Sequence, residues 1–123
     1  MEARSSAGAM GQGALVKATI TGTLLQAAMV ILGHFMPAIA ASFPVVGTGL
    51  GAVTGFLFSK WGGRHTRMAS GSGGALAGGV AGMLGSILSA ALGDVGMDTV
   101  GIATISTVVA GFVGAAAGHR NRP

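Results

Sequence analysis

Two side chains in this 123-residue chain stand where polar chemistry is least expected: Gln26 and His34 are the amide and the imidazole inside long runs that hold no acid, lysine or arginine. An imidazole exchanges a proton near neutral pH and ligates metals, and an amide both donates and accepts. In a medium that cannot hydrate them, such groups need partners, and two readings follow. In the first they bridge helices, at ~0.6 kcal/mol per hydrogen bond. In the second they form a functional polar site, as a metal or pigment ligand, a proton acceptor or part of a solute path. One histidine without a supporting motif implies no particular cofactor, so contact with lipid or pigment stays open.

The other chemistry-bearing groups are sparse. Asp94 and Asp98 are four apart, like paired carboxylates. They flank a predicted turn, where Asp98 reads as a helix cap and a cation site is the lesser reading. His65 and His119 lie among arginines, the setting of contact with anionic lipid headgroups. Gly71-Ser72-Gly73-Gly74 lacks the lysine of a phosphate-binding loop. There is no cysteine, no nucleophile with a base and no metal-ligand cluster, so the sequence predicts neither an enzyme nor a metal site.

The elements that must position Gln26 and His34 follow from composition. Charged residues make up 8% of the chain, against ~25% in an ordinary soluble domain, and the mean hydropathy is +0.72. With 24 glycines and 22 alanines, the apolar character comes largely from small residues. Acids, lysines and arginines are absent from Ala18 to Ser59 (42 residues), Met68 to Gly93 (26) and Thr99 to Gly118 (20). A span needs roughly 20 residues at 1.5 Å each. The first run is long enough for two spans with a turn between Pro37 and Pro44, since proline disfavours helix in the residue before it and opens helices at their first turn. Spans are predicted at about 17–36, 43–61, 73–92 and 99–117.

A signal peptide would read Ala38-Ile39-Ala40 as its cleavage site, but the uncharged run before it exceeds the ~7 to 15 residues of such a segment. A β-barrel would need alternation that is missing. A shift of 56 residues gives nine identities over the 43 positions from Gly22 to Arg64, among them Gly55 with Gly111 and Phe56 with Phe112. The expected fold is an all-α integral membrane protein of four transmembrane helices, built as two tandem hairpins in a parallel internal repeat.

Small residues recur every fourth position: Gly47, Gly51 and Gly55; Gly74, Gly78, Gly82, Ser86 and Ala90; and Ala103, Thr107, Gly111 and Ala115. In lipid such stripes let backbones approach closely, which predicts glycine-zipper packing. The equivalent stripe on the first span is Ala18, Gly22, Gln26, Val30 and His34, which puts both polar residues on its buried face. The seven basic residues all fall on one side of the predicted topology, placing both termini in the cytoplasm and the chain in a bacterial inner membrane. Trp61, Arg64, Arg67 and Arg120 are expected at the lipid headgroups. Basic residues divided among three segments form no nucleic-acid patch.

The predicted division is a flexible N-terminal segment at 1–13, a hairpin at 14–61, a cytoplasmic Gly/Ser/Arg linker at 62–73, a second hairpin at 74–118 and a basic tail at 119–123. Two functions fit this frame. One is a structural or accessory subunit, docking on other membrane subunits or on itself through small-residue helix faces. The other is a small oligomeric channel or transporter with a polar path at Gln26, His34, Thr48, Thr54, Thr104 and Thr107. A holin-like permeabilising protein is a third class with no residue to support it.

Overall fold

The computed structural model describes residues 2–62 and 67–120, without the side chains of 2–11, 40, 67 and 120. All of its elements are helices: α1 (Glu2–Phe35), α2 (Pro37–Ala41), α3 (Phe43–Trp61), α4 (Arg67–Ala91) and α5 (Met97–Arg120). Each boundary has a local cause. Pro37 brings no N–H and disfavours helix at the residue before it, so α1 stops at Phe35 and α2 starts at the proline. Pro44 sits in the first turn of α3, where a missing N–H costs nothing. α4 closes in a Schellman turn, with the Asp94 N–H on the Ser89 carbonyl and the Gly93 N–H on the Ala90 carbonyl, both at 3.0 Å. The turn needs a left-handed residue, and Gly93, at φ +81°, is the one with positive φ among the described residues.

Three segments, Gln12–Phe35, Met68–Ala91 and Met97–His119, are long and apolar enough to cross a membrane. Large apolar side chains face outward, with Phe35 77% and Val45 78% exposed, while Ala14, Ala18, Ala77, Ala81 and Ala115 fill the interior. That inversion of the water-soluble pattern points to a membrane protein, because lipid removes any penalty for exposing Leu, Ile and Val and leaves close packing to hold the helices.

α1 packs on α3 and α4, and α5 packs on α3 and α4, whereas α1 and α5 do not touch among the described residues. Interior hydroxyls turn back onto their own helices, as with Thr54 to the Leu50 carbonyl at 2.8 Å and Thr104 to the Val100 carbonyl at 2.7 Å.

Two expected segments look different in the structure. Helix α1 runs back to Glu2, through the segment 1–13 read as a flexible start, and α4 begins at Arg67, inside the linker read at 62–73. Glycines at 71–74 are notches there: a Cβ on Gly71 would strike the Phe112 ring, and one on Gly73 the Phe58 ring. Ring-into-glycine packing offsets the entropy that makes isolated glycine runs flexible.

Candidate functional site

The small-residue positions converge on the bundle axis. Gly22, Gly47, Gly51, Gly55, Gly74, Gly78, Gly82, Ser86 and Gly111 are all buried. A Cβ on Gly55 would fall on the Gly111 carbonyl, one on Gly51 would lie 3.0 Å from Thr107, and one on Gly78 would lie 2.8 Å from the Thr107 carbonyl. Backbone therefore meets backbone through the half of the bundle between these residues and the end marked by Trp61 and His119. A Cβ on Gly22 would run into the Thr54 side chain, which is wholly buried.

Beyond Gly82 and Thr107 the helices part around a cavity of about 330 Å³. α1 supplies Gln26, Met29 and Val30; α3 supplies Gly47 and Thr48; α4 supplies Ser86 and Ser89; and α5 supplies Ile102, Ser106 and Thr107. Phe43, Pro44 and Val95 line it at the far end. Gln26 is 3% exposed and donates its Nε2–H to the Gly47 carbonyl at 3.0 Å, tying α1 to α3. The Ser86 hydroxyl donates to the Gly82 carbonyl at 2.8 Å, and that of Thr107 to the Ala103 carbonyl at 2.9 Å. Ser89 is 2% exposed, and its Oγ has no hydrogen-bond partner.

His34 does not join Gln26. It lies half exposed at the end of α1, with Nδ1 3.0 Å from Asp94 Oδ2 in the α4–α5 turn. The expectation that it occupies a buried face is corrected for a simple reason. It sits in the last turn of α1, level with the interhelical turns, so its ring reaches a carboxylate at the bundle's end. Of the expected polar path, Gln26, Thr48 and Thr107 line the cavity, while Thr54 is buried against Gly22 and Thr104 bonds within α5. Ser42 and Asp98, matched by the 56-residue shift, are both residue types preferred at helix N-caps, and neither makes a capping bond among the described residues. Ser42 holds the N-cap position of α3 without a capping bond, because its Oγ donates to the Ile39 carbonyl at 2.7 Å, and Asp98 lies inside the first turn of α5.

The opposite end is basic and aromatic. Lys17 Nζ sits 4.6 Å from the centre of the Trp61 ring, a cation–π contact joining α1 to α3, and Ser70 Oγ lies 3.5 Å from His119 Nδ1. Arg64 and the side chains of Arg67 and Arg120 lie outside the described residues. Among the described residues, no three His, Asp or Glu side chains gather as a metal site would require.

Sequence reasoning missed the His34–Asp94 pair, the Lys17–Trp61 contact and the Ser86–Ser89 wall. The first two were legible in principle, since each joins residues assigned to one end of the bundle. The last was not, because a serine on a small-residue stripe is indistinguishable from a packing residue until the neighbouring helices diverge. No family model matches the chain, and neither a curated protein nor a solved structure similar to it is found.

Proposed function

We propose that the chain is a structural or accessory subunit of a larger membrane complex, or a scaffold that self-associates, with α3 as a fourth span and two tandem hairpins related by the 56-residue repeat. The observation that carries this reading is the outward face. The spans bear large apolar side chains and almost no charge, so their outer surface offers contact area and no chemistry. The glycine zipper of the sequence is, in this reading, a device that holds the chain's own helices. Docking then falls to the outer flanks of α3 and α5, where Gly49 and Gly101 have open space around them beside exposed Val45, Val53, Ile105 and Val109. Small residues set among large ones form the kind of surface on which another helix approaches closely.

Membrane lipids and other membrane subunits, or a second copy, are the partners of this reading. No nucleic acid, enzymatic step or resident cofactor enters it. The basic end faces the cytoplasm of a bacterial inner membrane by the positive-inside bias. Purification in mild detergent followed by mass spectrometry of co-migrating proteins tests it: stoichiometric partners, or a defined homo-oligomer without solute flux in liposomes, is the expected result.

The second reading, a small oligomeric channel or transporter, draws on the Gln26-lined cavity. It requires the glycine-packed half to open, because Gly55 and Gly111 leave no space between α3 and α5 there. Solute flux by the purified protein in liposomes would favour it over the first.

A further inference from the structure

The cavity between α1 and α5 is larger than packing alone explains. Protein interiors are close-packed, and each unfilled volume element lowers stability. At about 330 Å³, the space, which is partly open to the outside, is more than twice the ~150 Å³ of an apolar cavity known to hold benzene. It lies where α1 and α5, the two helices that do not touch, both contribute walls. We propose that it is a binding site for an uncharged, chiefly apolar, lipid-soluble molecule that carries one hydroxyl group.

The lining selects that chemistry. No charged side chain borders the cavity, so an ionic ligand would lose its hydration without gaining a counter-ion. Met29, Val30, Phe43 and Ile102 give carbon surface for a hydrocarbon body. Among the polar groups of the lining, Gln26, Ser86 and Ser89 belong to the packed α1–α4 wall. Ser86 and Ser89 are three apart on α4, and Gly85, one turn before Ser89, packs against Gln26, where a Cβ would lie 2.7 Å from the Gln26 Cβ. Their hydrogen-bonding capacities differ. Gln26 Nε2 gives one of its two N–H groups to Gly47 and leaves Oε1 as an acceptor, and the Ser86 proton is engaged with Gly82, which leaves lone pairs on its oxygen. Ser89 holds an unused donor, buried and without a partner. A buried donor without a partner beside free acceptors matches a hydroxyl, which accepts from Ser89 and donates to Gln26 Oε1 or Ser86 Oγ. A carbonyl accepts but cannot donate, which leaves Gln26 Oε1 and Ser86 Oγ without a proton to accept, and an alkane satisfies none of the three.

The full chain in lipid nanodiscs, irradiated with a diazirine-bearing analogue of 1-decanol, tests this assignment. Decanol has eleven non-hydrogen atoms, matched to the volume. Saturable labelling is expected on residues 26–30 and 102–107, displaced at least tenfold more effectively by 1-decanol than by n-decane, and not displaced by decyltrimethylammonium. Ala103→Phe, which fills the cavity, should cut saturable labelling at least tenfold. Ser89→Ala should remove most of the advantage of decanol over decane, and Leu76→Phe, exposed on α4 away from the cavity, should leave labelling unchanged. If Ala103→Phe loses its helical circular dichroism or its monodisperse elution, Ser106→Leu on the same wall takes its place. Non-saturable labelling, or unchanged labelling in a folded cavity-filling variant, overturns the site. Equal displacement by decane and decanol overturns the hydroxyl assignment. Partner capture by the same variants is scored separately, so loss of this site leaves the subunit reading intact.

Discussion

Gly55 packs against the backbone of Gly111 across the α3–α5 interface: a Cβ on Gly55 would fall on the carbonyl of Gly111, and one on Gly111 would fall on the carbonyl of Gly74 in α4. Gly55 and Gly111 are 56 residues apart, as are Gly51 and Thr107 one turn away, which also meet. Alanine at Gly55 or Gly111 must therefore push helix backbones apart, at about 1 to 3 kcal/mol each. Gly49→Ala and Gly101→Ala, with open space at both sites, should lie within about 0.5 kcal/mol of the parent. Denaturant unfolding of the purified protein in detergent, followed by helical circular dichroism, checks the contrast. Equal tolerance at all four positions would refute the contact.

Topology is tested with single cysteines at exposed positions in a chain that has none of its own. Ala38→Cys and Met97→Cys lie at the end of the bundle marked by His34, and Met68→Cys and Ala117→Cys at the end marked by Trp61; all four are exposed. A membrane-impermeant maleimide applied to intact cells should label the first pair only. Labelling of Ala38→Cys and Met68→Cys from the same face would show that α3 does not cross.

Much of this arrangement was legible in the sequence, for a definite reason. Every-fourth-residue spacing of Gly, Ala, Ser and Thr marks one face of a helix, and Gly22, Gln26, Gly51, Gly78 and Gly111 on such faces are buried. Three of the expected spans coincide with helices of suitable length and apolarity. Two things depend on tertiary geometry and were not legible. The helical state of Gly71–Gly74 requires the Phe58 and Phe112 rings to be seated in their notches, and a glycine-serine run alone reads as a linker. The cavity lies between α1 and α5, two helices that do not touch among the described residues, and no local pattern encodes that spacing.

The His34–Asp94 pair joins the end of α1 to the α4–α5 turn at 3.0 Å, with both side chains partly exposed. Exposed pairs gain little, because solvent screens the charges and two side chains must be held in place. In a double-mutant cycle of His34→Ala and Asp94→Asn, the coupling energy should therefore be below about 1 kcal/mol. Assembly and helical content should be unchanged in both single variants. A coupling of several kcal/mol would mean that this end is shielded from water by a partner, and would support an oligomer whose interface covers it.

Gln26 separates the two functional readings. Its Nε2–H bonds to the Gly47 carbonyl, which as part of α3 also accepts from its own helix, so removing the amide leaves that carbonyl with a partner. Gln26→Met keeps the length and apolar volume of the side chain and loses one interhelical hydrogen bond, worth about 0.6 kcal/mol on average between membrane helices. The variant should therefore fold, retain α1 against α3 and α4, and capture any partner as the parent does. Gln26→Glu is the sharper probe, because an ionised carboxylate at a 3%-exposed site in an uncharged wall has no counter-ion. By analogy with acids at mid-bilayer, that change should cost roughly 3 kcal/mol and lower the yield of folded protein. Assembly and liposome flux are measured on the same preparations. If parent and Gln26→Met assemble alike and neither passes solute, the amide is a structural tie and the subunit reading stands. If the parent conducts and Gln26→Met assembles normally but does not, the amide lines a path and the channel reading replaces it.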